Sequence, residues 1–287
     1  MSVKIWVVCD DGVLVDDRSM PFVITLDEAP TQAVSLGFTE THDGHCVALA
    51  KDHTLPATHA ISSTDAISLK LIFPYGQGYD AKDAKNLRLL SFRELINTST
   101  ASVISLLSRA IMLIRWQQDH RFCSRCGTRA VLHSGGEHAM ICPACRHRAY
   151  PRVQPCIIIA ITRQHPKTGK PQILLARHHR HKSGVHGLIA GFVEAGETLE
   201  MAAHREALEE VGVSIGDLKY FGSQSWPYPS NLMAGFIATH AHGDIKIEPN
   251  ELASANFFDI DALPAIPAAG TIAHQLIEAV VQQGDLA

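Results

Sequence analysis

The sequence predicts an α/β protein in three segments: an N-terminal α+β domain over residues 1–118, a cysteine module over 119–150 and a mixed-sheet α/β domain over 151–287. Three observations predict it. Short apolar runs separated by turn residues fill the first third and end in a long helical pattern. Two C-x-x-C pairs follow. The last half then alternates apolar runs with two amphipathic helical stretches.

In the first third, VKIWVV (3–8) reads as a strand, Asp11-Gly12 as a turn and GVLV as the returning strand of a hairpin. Cys46–Ala50 and Ile67–Phe73 are further strand candidates. Asp10-Asp11 and Asp16-Asp17 fit turn chemistry better than a metal site. Cys9 and Cys46 read as small buried hydrophobes. From Ser91 to Gln118, Val103, Leu106, Leu107, Ala110, Ile111 and Ile114 recur at helical steps. A helix this apolar is expected between domains or against a second subunit.

A length of 287 residues accommodates two domains, or three with a small module. The apolar content of 46% suits sizeable cores, and a net charge of −4 with 17 histidines does not describe a general nucleic-acid binder. MSVKIWVVCDDG is not a signal peptide, and Ser105, Ser108 and Arg109 interrupt the longest apolar region, so no membrane span is expected. A cytoplasmic location follows, and with it reduced thiols or metal ligands rather than disulfides.

Cys123-Ser-Arg-Cys126 and Cys142-Pro-Ala-Cys145 stand fifteen residues apart, the spacing of a zinc ribbon. Four thiolates would close a tetrahedral Zn²⁺ and leave no open position, which makes the role structural. The alternative is a pair of redox dithiols. Arg121, Arg125, Arg129, Arg146 and Arg148 make the segment basic, either as a solvated surface or as an RNA contact.

In the last segment, PCIIIAIT (155–162), ILLAR and His186–Val193 read as strands, with more at 218–224, 232–240 and 255–259. RHHRHK (177–182) is an exposed loop or an attractor of anionic substrate. A final helix at 271–282 carries Ile272, Leu276, Ile277 and Val280 on one stripe. Between the strands, Thr198 caps a helix that runs to Val211 and ends at Gly212. On it Glu206, Glu209 and Glu210 fall three and four apart on neighbouring positions of one face. They sit in the C-terminal half, where the helix dipole disfavours negative charge. The choice is a solvated acidic face or a seat for a hard cation, Mg²⁺ or Mn²⁺, with substrate phosphates.

The whole stretch, GFVEAGETLEMAAHREALEEVGV, decides between them. Gly191, Glu197, Arg205-Glu206, Glu209-Glu210 and Gly212 occupy every fixed position of the Nudix box, with Ala207 a small choice for its first apolar slot. The chain therefore resembles a Nudix hydrolase. With a ribbon in front and SQSWPYP (223–229) behind the box, it resembles the NADH pyrophosphatase family, whose array reads SQPWPFPxS. Ser225 replaces a proline and Asn231 the final serine, departures that bear on NADH preference and not on pyrophosphate chemistry. The resemblance covers about residue 120 to the C-terminus.

What the resemblance implies is an α/β/α sandwich and metal-dependent hydrolysis of NADH or NAD⁺ to AMP and nicotinamide mononucleotide. Glu206, Glu209 and Glu210 would hold Mg²⁺ or Mn²⁺, with the carbonyl of Ala190 and Glu251 as further ligands. Glu209, Glu210 or Glu251 would be the base, and Glu197 with Arg205 a structural pair. Phe192, Gln224, Trp226, Tyr228 and Ala273 would line the nicotinamide pocket, and Tyr150 would complete it from a second subunit in a homodimer. Two alternatives stand beside this: removal of the NAD cap from RNA by the same chemistry, and a non-catalytic nucleotide sensor. The complete set of box carboxylates argues against the sensor.

Overall fold

The computed structural model describes residues 3–9, 12–15, 23–26, 34–37, 44–48, 70–72, 78–80, 88–133, 137–179 and 184–284. The turn aspartates Asp10, Asp11, Asp16 and Asp17 and the loop residues Arg180, His181 and Lys182 lie outside them. The chain divides into two compact units, Met1–Arg152 and Val153–Ala287.

In the first unit, β1 (Val3–Cys9) and β2 (Gly12–Val15) form the expected hairpin, with Val8 opposite Val13. β3 (Val23–Leu26), β4 (Val34–Gly37), β5 (Gly44–Ala48), β6 (Lys70–Ile72), β7 (Gly78–Asp80) and β8 (Arg88–Ser91) follow. The main sheet runs β4-β5-β1-β2-β8 with β3 also on β1, and β6 and β7 pair separately. The single helical pattern expected after Ser91 is two helices, α1 (Phe92–Leu95) and α2 (Ala101–Asp119). The break is capping chemistry. Ser91 and Glu94 form a reciprocal capping box, and the Thr100 hydroxyl accepts from the Val103 amide to start α2. α2 lies on β1, β4 and β5 of its own unit. That burial is complete at Leu107, Ala110 and Ile111. The cysteine module closes this unit with β9 (Val131–Leu132), β10 (Met140–Ile141) and β11 (Arg148–Ala149), in the order β11-β10-β9.

The second unit contains β12 (Gln154–Gln164), β13 (Pro171–His178), β14 (Ile189–Phe192), α3 (Leu199–Val211), β15 (Ser214–Trp226), β16 (Asn231–His242), β17 (Leu252–Asp259) and α4 (Ile272–Gly284). Its sheet runs β15-β16-β12-β13-β17. β12 and β16 are parallel, and every other pairing is antiparallel. β12 is buried on both faces, which is why PCIIIAIT reads as an unbroken apolar run. Ile157, Ile159 and Ile161 point to one side and pack with Ala202, Ala203, Ala207 and Val211 of α3. Ile158 and Ala160 point to the other and pack with Ile272, Leu276, Ile277 and Val280 of α4. Each fully buried isoleucine contributes on the order of 1.5–3 kcal/mol. The result is a helix, a mixed sheet and a helix in three layers. Ala207, the small residue of the box, is fully buried where α3 meets the sheet.

One edge of β12 is shared. β13 pairs with it at Thr162–Gln164, and β14 pairs with it at Cys156–Ile159. The strand expected at 186–193 is therefore shorter: Gly187 forms only an isolated bridge to Ala176, and the ladder to β12 occupies Ile189–Phe192. This split delivers the end of β14 and the loop 193–198 to the start of α3.

Candidate active site and metal sites

The Thr198 hydroxyl accepts from the Met201 amide at 3.2 Å and starts α3; Gly212 ends it in the left-handed region at φ 72°. Arg205 then organises the loop. Its Nε and Nη2 donate to the two Glu197 oxygens at 2.7 and 2.9 Å, and Nη2 also donates to the Phe192 carbonyl at 2.8 Å. Glu197 accepts in addition from the Glu194 amide at 2.9 Å. Held by Arg205 first and this amide second, the Glu197 carboxyl is lowered to about 2. Glu197 and Arg205 thus form the ion pair that ties the loop to the helix, as the box resemblance implied.

The other face of Arg205 takes the acidic residues. Nη1 donates to Glu206 Oε1 at 2.7 Å and to Glu209 Oε2 at 3.0 Å. The Glu206 side chain is 13% exposed and that of Glu209 is 61% exposed. Glu206 lies against Gly191, where an added Cβ would overlap its carboxylate. Glycine is required there for close approach and not for its dihedral freedom. Ala190 directly precedes this contact on β14. Glu210 is buried at 4% exposure.

Glu251 reaches the same end from another element. The Lys246 amide donates to the Val211 carbonyl and the Glu248 amide to the Glu210 carbonyl, both at 2.9 Å, so the loop before β17 is laced to the last turn of α3. Burial raises the Glu206 carboxyl, against the opposing pull of Arg205, and the charges of Glu209 and Glu251 raise it further. Cys156, opposite Phe192 on β12, feels the same charges: burial first, then Glu206 and Glu210, push its thiol up to about 12. Nothing in the sequence signalled a thiol here, because the strand pairing that brings it close joins positions far apart in the chain.

These observations describe concentrated negative charge beside a glycine-cut niche with one arginine partly offsetting it. Carboxylate oxygens are the donor type a hard divalent cation takes, although among the described residues only the four cysteines bring their ligand atoms within 4.8 Å of one another. A prediction follows for the protein dialysed free of divalent cation. A carboxyl whose folded pKa is raised lowers stability as pH climbs above its unfolded value. Glu206→Gln should therefore melt a few degrees above wild type at pH 8, with the gap shrinking toward pH 5. Added Mg²⁺ should raise the melting temperature of wild type more than that of the variant. A variant that melts below wild type at pH 8 would contradict this electrostatic picture.

The cysteines form the second site. Their ligand atoms lie within 4.8 Å of one another. The Sγ separations are 3.6 Å for Cys123–Cys145, 3.4 Å for Cys126–Cys142 and 3.5 Å for Cys126–Cys145. A tetrahedral zinc with bonds of about 2.3 Å needs sulfur–sulfur edges of about 3.8 Å, so the quartet fits a four-thiolate centre. The Thr128 hydroxyl first and its backbone second lower the Cys126 thiol to about 6, the direction that favours a metal-binding thiolate.

Of the residues expected around the base, Phe192 is 49% exposed at the end of β14. Trp226 and Tyr228 meet edge to face at 5.7 Å, and Ala273 is half-buried in the first turn of α4. The Gln224 amide is engaged at both ends: Nε2 donates to the Gly270 carbonyl at 2.8 Å, and Oε1 accepts from the Ile272 amide at 2.9 Å. It fixes the start of α4 to β15. Tyr150, 51% exposed, follows β11 in the first unit.

Fold and site together define a Nudix-type sandwich with an ordered box helix, carried on the same chain as a four-cysteine ribbon. The family model described as NUDIX domain matches residues 153–279, and the NADH pyrophosphatase zinc ribbon domain matches 118–150. Similar proteins include the NAD-capped RNA hydrolases NudC of Salmonella heidelberg (strain SL476) and Salmonella typhi, each 45% identical over 191 residues, 67% of this chain and 71% of theirs. A solved NUDIX hydrolase from Nitrosomonas europaea is 24% identical with a TM-score of 0.46, covering 57% of this chain and 91% of that one. The chain belongs to the NADH pyrophosphatase family of Nudix hydrolases.

Proposed function

We propose that the protein hydrolyses the pyrophosphate bond of NADH and NAD⁺, giving AMP and nicotinamide mononucleotide, and that the same site removes NAD caps from RNA. The observation that carries this reading is the complete set of box carboxylates: Glu206 lies against Gly191, Arg205 holds Glu206 and Glu209, and the charges of Glu209 and Glu251 reach Glu206. The curated relatives, named as NAD-capped RNA hydrolases, support the substrate class.

Glu206, Glu210 and the carbonyl of Ala190 would seat Mg²⁺ or Mn²⁺, with Glu209 and Glu251 at the margin. When bound, the cation neutralises phosphate oxygens and lowers the pKa of a water. Arg205 keeps Glu206 and Glu209 oriented and holds the loop through Glu197. Glu251 is the better proton acceptor of the exposed pair, because Glu209 is engaged by Arg205. Phe192, Trp226 and Tyr228 offer faces for the nicotinamide ring, Ala273 a wall held in place by Gln224, and Tyr150 a further ring, supplied across a homodimer. Zn²⁺ at the cysteines would be structural. The location is taken as cytoplasmic; among the described residues no helix is long and apolar enough to cross a membrane. Conversion of NADH to AMP and reduced nicotinamide mononucleotide by the dialysed protein supplied with Mg²⁺ or Mn²⁺ tests the reading.

A further inference from the structure

Two buried oxygens in the second unit, Gln154 Oε1 and Asn231 Oδ1, meet no hydrogen donor among the described residues. Gln154 opens β12 and Asn231 opens β16, and the two pair in the parallel ladder. Trp226, the last residue of β15, stands opposite Asn231. Partners in register share a face, so these three form one row across the sheet. Two residues further along each strand, Gln224, Met233 and Cys156 form the next row of that face, with Phe192 opposite Cys156. Met233 packs against the α4 core, so this is the α4 side of the sheet. Arg205 of the box helix donates to the Phe192 carbonyl, so the rows adjoin the charged site.

Both residues are held in place by their other groups. Asn231 is 6% exposed, and its Nδ2 donates to the Tyr228 carbonyl at 3.2 Å, which commits the other end of the amide to accepting. The Gln154 amide nitrogen of the main chain donates to the Ser230 carbonyl at 2.8 Å and ties the start of β12 to the turn before β16. A serine at 231, as in the family array, can donate as well as accept; Asn231, with Nδ2 engaged, only accepts. A buried acceptor without a donor is costly, and native proteins keep few of them. One nitrogen carrying two hydrogens satisfies both oxygens. An oxo or carboxylate oxygen in its place meets them lone pair against lone pair.

We propose that Gln154 and Asn231 determine specificity by accepting from a primary amino group on the substrate's base, so that the site takes an NH2-bearing ring and rejects its oxo or acid counterpart. The proposal rests on the pyrophosphatase reading above and adds two residues to it. Trp226 and Phe192 flank the oxygens and offer faces to the ring that carries the group. NADH has such a group at each end, the carboxamide of nicotinamide and the exocyclic amine of adenine. The competing occupant is a buried water, which also brings two hydrogens.

The test uses the full-length, zinc-loaded protein with Mg²⁺ and three substrates: NAD⁺, nicotinic acid adenine dinucleotide and nicotinamide hypoxanthine dinucleotide. The wild type should lose about ten- to a hundredfold in kcat/KM on one of the two analogues. Loss on the first assigns the oxygens to the carboxamide, and loss on the second to the adenine amine. Gln154→Met, which keeps the length and removes the acceptor, and Asn231→Ser, which adds a donor, should each bring that ratio close to one. A merely structural role leaves the ratio unmoved. Calorimetric binding of nicotinamide mononucleotide against nicotinic acid mononucleotide, and of AMP against IMP, should show the same preference. This arm needs no turnover, so it decides the proposal even if the wild type hydrolyses no dinucleotide and the catalytic reading fails. Equal treatment of amino and oxo or acid forms by the wild type would overturn the proposal. So would variants that melt lower yet keep the preference, which would give the oxygens to a water.

Discussion

Glu210→Gln is expected to lower kcat for NADH by roughly a thousandfold while leaving the fold intact. The amide keeps the volume of the side chain and removes its charge. Glu210 is 4% exposed in the last turn of α3, where the helix dipole opposes a carboxylate and Glu206 lies close by. A buried anion in that position costs stability unless a cation meets it. The loss should therefore fall on kcat with melting temperature in divalent-free buffer unchanged or raised, a pattern that separates a catalytic carboxylate from a structural one. Steady-state kinetics with Mg²⁺ and a parallel thermal melt provide both readings. A variant that retains more than a tenth of wild-type kcat would remove Glu210 from the chemistry.

Cys142→Ser is expected to have the second largest effect, and on a different property. Cys142 is 1% exposed, and its amide and carbonyl close the second knuckle with His147 and Arg146. Among its described residues the module has three two-residue strands, too little for an independent apolar core. Structural zinc supplies about 10–16 kcal/mol in small finger peptides, so losing a ligand should unfold the ribbon. Zinc content should fall from one equivalent per chain, and the amides of Cys123, Gly127 and Cys142 should lose protection from hydrogen exchange. The sandwich, with its own cores on both faces of β12, should keep its protection. Retained zinc with unchanged ribbon protection would contradict a structural role.

Much of the second unit was legible because its signals are local. Thr198 and Gly212 bracket α3 at its true ends, and β12 announces itself by an apolar run that only a strand buried on both faces sustains. The ion pair of Glu197 and Arg205 followed from the box resemblance. What escaped depends on pairing between distant positions. Gln224 holds the Ile272 amide across 48 residues, so its part in fixing α4 has no sequence signal. The loop holding Glu251 is tied to α3 through backbone bonds that no side chain announces. The break between α1 and α2 was available in principle, since Thr100 is of the N-cap type, but the apolar periodicity beyond it masked the signal.

The central claim is that the glutamates at the C-terminal end of α3 serve to split a dinucleotide pyrophosphate. The most direct measurement is chromatographic identification of the products formed from NADH by wild type and Glu210→Gln side by side, with Mg²⁺ or Mn²⁺. The account predicts AMP and reduced nicotinamide mononucleotide in equal amounts from the wild type and almost none from the variant. No turnover of NADH, NAD⁺ or ADP-ribose by the wild type with either metal would contradict it and leave a nucleotide-binding role in its place.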